Sequence, residues 1–109
     1  MKQVKSDLIY LEDICDAIGE IESFVSDGIR DLKTYRAVER NLEIIGEATA
    51  KISEDIKNKY PSVEWREIKA MRNIIAHEYS RVNFNMVWNI ADNDLHILLE
   101  NIQKIIKEL

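Results

Sequence analysis

Arg72, Asn73, His77 and Tyr79 fall within eight residues and bring together a permanent cation, an amide, a proton-transfer group and a phenol. Histidine titrates near neutrality, so an imidazole can take up and return a proton within one turnover. Arginine stays charged and presents paired N–H donors that fit the non-bridging oxygens of a phosphodiester. Such groups suit phosphodiester cleavage without a metal. One imidazole takes the proton of a ribose 2′-hydroxyl, a second protonates the leaving oxygen, and the guanidinium stabilises the charge that builds on the phosphate. Asn73 is suited to orienting a histidine or binding a phosphate oxygen.

The spacing complicates this picture. On a continuous α-helix at about 100° per residue, Arg72 and His77 diverge by roughly 140° around the axis. Either the helix ends between them, or each side chain meets counterparts from another copy of the chain. A two-fold interface would bring two arginines and two histidines around one cleft. Each residue also has a plainer reading. A histidine at a helix C-terminus interacts favourably with the helix dipole. Arg72 can pair with Glu67 or Glu78 on the surface, and Tyr79 can be a half-buried packing residue.

The elements that must position these residues read as helices. Apolar residues recur every three or four positions at Val4, Leu8, Leu11, Cys15, Ile18, Ile21 and Val25, a single buried stripe that Ser26-Asp27-Gly28 stops. A second stripe runs Val38, Leu42, Ile45, Thr49, Ile52 and Ile56. It carries Gly46, Ala48 and Ala50, and since glycine weakens a helix, close approach of another backbone accounts for Gly46. Residues 58–62, with Tyr60-Pro61, read as a loop in which Ser62 can cap the next helix. That helix is expected over residues 64–76, burying Trp65, Ile68, Met71 and Ile75. After a break at residues 80–83, with Asn83 suited to the N-cap, the last helix shows Met86, Ile90, Leu95, Leu98, Ile102, Ile105 and Leu109. Val87, Ala91, Leu99 and Ile106 widen that stripe. No segment alternates with a period of two and there is no internal repeat. The expected fold is all-α, an up-and-down bundle of four to five helices forming one domain over residues 1–109.

Bulk properties narrow the function further. Net charge is −5, which argues against long, non-specific contact with nucleic acid. The charge is unevenly spread, however. Residues 1–28 hold Lys2 and Lys5 against seven acids, whereas residues 59–81 hold Lys59, Arg66, Lys69, Arg72 and Arg81 against Glu64, Glu67 and Glu78. The basic excess therefore sits on the segment with the candidate chemistry. No apolar run is long enough to span a bilayer and no signal segment follows the first lysines, so a soluble, cytoplasmic protein is expected. The lone Cys15, set among Leu11, Ile14 and Ile18, reads as a small buried hydrophobe rather than a reactive thiol. Asp92 and His96 share a helix face but are too few to hold a metal, and His96 reads as a solvated surface residue. Trp65, Trp88, Tyr60 and Phe84 read as amphipathic anchors of the core or an interface rather than stacking platforms for bases.

The segment from Arg72 to Tyr79 resembles the Arg-x4-His signature of HEPN-domain proteins, in the Arg-x4-His-x-Tyr form of the HepT-like toxins. The likeness extends to Ala37-Val38-Glu39-Arg40-Asn41-Leu42-Glu43-Ile44-Ile45-Gly46-Glu47-Ala48, to Tyr60-Pro61 and Trp65-Arg66-Glu67-Ile68, and to Val87-Trp88, and so covers nearly the whole chain. This resemblance implies a HEPN-like bundle that forms a homodimer, with the motifs facing a shared cleft. It implies a metal-independent endoribonuclease toxin in which Arg72 and His77 are catalytic and Asn73 supports them. The implied product is a 2′,3′-cyclic phosphate. The implied partners are RNA and an MNT-type nucleotidyltransferase antitoxin, which would silence the toxin by transferring AMP from ATP to Tyr79. No metal and no resident cofactor is implied. Arg40 and Glu47 also match, as residues that shape the cleft or contact the partner. A different class of function is a non-catalytic helical subunit that pairs with a nucleotidyltransferase, a reading the net acidity favours.

Overall fold

The computed structural model describes residues 2–77 and 83–109, the side chains of residues 2–4, 74, 76, 77, 83 and 84 apart. Among them the elements are all helical: α1 (Lys2–Ser26), α2 (Leu32–Lys51), α3 (Glu54–Lys59), α4 (Trp65–His77), α5 (Asn83–Asn89), a π-helical turn (Ile90–Asp94) and α6 (Leu95–Glu108). The expectation of an all-α bundle holds, with the four main helices joined by shorter ones. No described helix is long and apolar enough to cross a membrane.

The hairpin of α1 and α2 is the centre of the structure. Gly28 takes φ 73°, a left-handed conformation that lets its N–H bond Val25 O at 3.0 Å and ends α1 where Ser26-Asp27-Gly28 predicted. Asp31 then caps α2, its carboxylate accepting the Thr34 N–H at 2.8 Å. That hydrogen bond lowers the Asp31 pKa from its ordinary value. α1 contributes Leu11, Ile14, Ile18 and Ile21 to the core, α2 contributes Val38, Leu42 and Ile45, and α6 contributes Ile102 and Ile105. α2 lies between α1 and α4, while α6 covers another face of α1. Cys15 is half-buried beside this core, and burial, with the charges of Asp16 and Glu12, pushes its thiol pKa up. An unreactive thiol follows.

Two departures from the apolar stripes have physical causes. The stripe through Ile52 and Ile56 continues at helical spacing, yet α2 stops at Lys51 and the chain is extended at Ile52 (ψ 140°) and Ser53 (ψ 153°). Ser53 restarts the helix by accepting the Ile56 N–H, and the buried Asp7 carboxylate accepts both its N–H at 2.9 Å and its hydroxyl at 2.7 Å. In the last helix the stripe takes one step of five, from Ile90 to Leu95. The π-helical turn falls at that step, and its extra residue realigns α6 with the core.

Candidate active site

α4 is the element that carries the candidate residues. Tyr60-Pro61-Ser62 turns the chain into it, and Trp65 pins that turn by donating its Nε1–H to Tyr60 O at 3.0 Å. The helix begins at Trp65, with the Ile68 N–H bonding Glu64 O, so Ser62 sits in the turn rather than at the cap. Ile68 and Ile75 are buried and Met71 packs beside them, which fixes the rotation of α4 against its neighbours.

That rotation lays Arg72 on α2. A Cβ built at Gly46 would lie 2.5 Å from Arg72 Cγ, 3.2 Å from its Cδ, and closer still to its Cβ. The aliphatic stem of Arg72 thus occupies the space a side chain at position 46 would need. Gly46 does mark a close approach, but the partner is this stem rather than another backbone. Arg72 nevertheless remains half-exposed, and it forms no ion pair among the described residues. Of the surface pairings open to it in the sequence, Glu67 is not its partner, and Glu78 lies outside the described residues.

α4 is continuous through His77, so the helix does not end between the two motif residues. Positions 72 and 77 therefore stand about 140° apart around one axis. Asn73 is exposed, on the stripe of α4 that also holds the exposed Arg66 and Ala70, with Lys69 beside it. His77 continues that stripe by register, at steps of three and four. Of His77 the backbone is described; Tyr79 lies outside the described residues.

Arg40 and Glu47 lie on the polar side of α2 that includes the turn around Gly46. Arg40 bonds Glu43 at 3.2 Å and reaches Glu47 at 3.9 Å. Glu43, the nearer partner, is the residue of this trio that reading the motif overlooked, although its i,i+3 spacing from Arg40 favours the pair. Asp92 and His96 are drawn apart by other partners. Asp92 takes Arg30 at 2.7 and 2.8 Å, and the exposed His96 lies 2.9 Å from Glu100 and 3.6 Å from Glu22.

The other flank of α4 has the opposite chemistry. A cleft of about 420 Å³ between α4 and α6 has Ile68, Met71, Ile90 and Leu98 on its floor and Glu64, Glu67 and Asp94 at its edge. Hydrogen bonding with Glu64, that residue's charge, desolvation and the charge of Asp94 together raise the Glu67 pKa above its ordinary value. A crowded acidic rim repels a polyanion. The outer stripe of α4, with Arg66 and the neighbouring Lys69, is the flank suited to phosphate, and the half-exposed Arg72 lies at its border.

The family model for HepT-like proteins, described as ribonuclease HepT-like, matches residues 14–105 and so takes in α4 and the whole motif. The chain belongs to the HepT-like ribonuclease family. Among its relatives, a Thermococcus cleftensis protein named probable ribonuclease HepT is 40% identical over 103 residues, covering 90% of this chain and 94% of that one. A Methanocaldococcus jannaschii protein named "Putative RNase MJ0127" is 35% identical over 105 residues, 92% of this chain and 87% of its own. A Caldanaerobacter subterraneus protein named "Putative RNase TTE0752" is 33% identical over 104 residues, 91% of this chain and 93% of its own. No solved structure matches the chain. Membership in the HepT-like family bears on α4 as a whole, since the match runs through both its phosphate-suited flank and the helix end at His77.

Proposed function

We propose that this HepT-like protein is a metal-independent endoribonuclease, the toxin of a HEPN/MNT toxin–antitoxin pair, working as a homodimer. The observation that carries this reading is the setting of Arg72. Its stem is seated on α2, it is half-exposed with no ion pair among the described residues, and it belongs to a helix continuous to His77. Positions 72 and 77 diverge by about 140° around one helix axis, and a two-fold pair of chains would supply both to a shared cleft. There, one His77 accepts the proton of the 2′-hydroxyl while its oxygen attacks phosphorus. The other His77, protonated, gives its proton to the departing 5′-oxygen. Arg72 binds the non-bridging oxygens as their charge grows, and Asn73 supports the imidazole or the phosphate. The products are a 2′,3′-cyclic phosphate and a free 5′-hydroxyl, and no water is consumed.

Control falls to Tyr79. Its hydroxyl attacks the α-phosphate of ATP on a nucleotidyltransferase antitoxin, pyrophosphate leaves, and the resulting tyrosyl-AMP sets a bulky anion two residues from His77. That anion competes with RNA for the phosphate site and repels it. Arg40 and Glu47, on the exposed side of α2, are assigned to the cleft rim or the antitoxin contact. The test is cleavage of RNA by the purified chain in excess EDTA, with Arg72→Ala and His77→Ala as controls. Cyclic-phosphate ends are expected from the unmodified chain alone, and cleavage unchanged in both variants would sink the assignment. The acidic net charge favours a second reading, a non-catalytic partner of a nucleotidyltransferase. Expression without the nucleotidyltransferase antitoxin separates the two, since a passive subunit is tolerated and a toxin is not.

A further inference from the structure

We infer that Gly46 is a positioning residue for Arg72, the seat that holds the guanidinium's stem in register for the phosphate; this rests on the catalytic role proposed for Arg72. Gly46 lies inside α2, where glycine weakens a helix and no turn or positive φ calls for it. What it provides is absence of bulk. The three heavy atoms nearest to a Cβ built there are Cβ, Cγ and Cδ of Arg72, the first two far inside van der Waals contact. These are not the far end of a flexible side chain. Arg72 Cβ is fixed by the α4 backbone, and α4 is held by the buried Ile68 and Ile75. A methyl group at position 46 must therefore turn the Arg72 stem off α2 or push the two helices apart. Either movement carries the guanidinium away from its place, while the rest of α2 keeps its contacts with α1.

Gly19 is the internal control. It also lies within a helix, α1, but a Cβ there meets nothing within 4 Å. Alanine at either glycine brings the same gain in helix propensity, and only at position 46 does it meet the arginine.

The experiment uses the full chain in four forms: Gly46→Ala, Gly19→Ala, Arg72→Gly, and Arg72→Gly with Gly46→Ala. For Gly46→Ala, kcat for RNA is expected to fall about tenfold or more with KM little changed, the signature of a displaced transition-state group. Gly19→Ala is expected to cleave like the unmodified chain. Thermal unfolding supplies the readout that does not depend on cleavage. Gly46→Ala should lower the melting temperature of the unmodified chain but raise it in the Arg72→Gly background, where the stem is gone. If Gly46→Ala alone does not fold, the comparison of the two Arg72→Gly forms still decides. A Gly46→Ala protein as active as Gly19→Ala, or an equal loss of stability with and without the Arg72 stem, overturns the inference. Should the unmodified chain cut no RNA, the ribonuclease reading fails on its own, and the melting comparison still decides whether Gly46 seats Arg72.

Discussion

Replacing Arg30 tests how the two ends of the sequence are tied together. Arg30 lies in the link between α1 and α2, and its Nη2 stands 2.7 and 2.8 Å from the two carboxylate oxygens of Asp92 in the π-helical turn. The same guanidinium lies 4.4 Å from the centre of the Trp88 ring, which in turn meets Tyr35 edge-on at 5.9 Å. The ion pair is partly solvated, with both side chains 38% exposed, so it belongs at about 0.5–1 kcal/mol rather than the value of a buried pair. The stacking on Trp88 adds about 0.5–1 kcal/mol. Arg30→Ala should then cost about 1–2 kcal/mol, a fall of several degrees in melting temperature for a chain of this size. A double-mutant cycle with Asp92→Ala, read by urea unfolding, should return a coupling of about 0.5–1 kcal/mol at low salt. Raising the salt to about 1 M shortens the screening length to about 3 Å and should remove most of that coupling while leaving the Trp88 part of the Arg30→Ala loss. A low-salt coupling indistinguishable from zero would refute the reasoning, because it would mean that the pair forms without stabilising the junction.

Two further outcomes concern single residues. Asp7→Ala deletes a buried acceptor and leaves the Ser53 N–H and hydroxyl without it, so the urea midpoint should fall by the equivalent of about 2–3 kcal/mol, and an unchanged midpoint would contradict the Asp7–Ser53 link. For Glu67 the folded-state pKa is raised, so the folded chain binds more protons there than the unfolded chain, and stability is lost as pH rises through the folded value. Glu67→Gln should therefore melt higher than the unmodified chain at pH 7, with the gap closing as pH falls below the ordinary glutamate value of 4.5; a gap that persists in acid would show that charge crowding is not its cause.

Much of this was legible in the chain because helices announce themselves locally. The stripes placed α1, α4 and the last helix, and Ser26-Asp27-Gly28 placed the end of α1, since capping and periodicity depend on residues a few positions apart. The break after α2 was harder. Ile52 and Ile56 keep helical spacing across it, and the competing signal was Ser53 followed by the acidic Glu54 and Asp55, the composition of a helix start. The π-helical turn left a readable trace as well, the single step of five between Ile90 and Leu95. Relations between distant residues could not be read. Arg30 and Asp92 are 62 positions apart, and nothing local says that they meet. Gly46 was readable as a site of close approach, yet that Arg72 fills it depends on how α4 is rotated against α2. For the site, sequence placed Arg72 and Asn73 correctly on one helix, while Tyr79 lies outside the described residues.

The continuity of α4 links the charge distribution to the proposed mechanism. Had the helix ended between positions 72 and 77, one chain could have folded both groups around a phosphate. α4 has two chemically distinct flanks. One faces the apolar cleft edged by Glu64, Glu67 and Asp94, and repels a phosphate chain. The other exposes Arg66, Lys69 and Asn73 and leads by register to His77, with Arg72 at its border. Much of the chain's acidity lies in the first 28 residues, on α1 and the turn after it, so the −5 total does not describe the surface that RNA would meet. In the proposed dimer, a two-fold axis beside that outer stripe would double its positive charge in one place and would bring each Arg72 toward the other chain's His77. The proposed dimer thus answers two separate difficulties, the divergence of about 140° within the motif and the weak basic charge of a single copy. A monomeric chain that cleaves RNA at undiminished specific rate on dilution below its dimer dissociation constant would break that link.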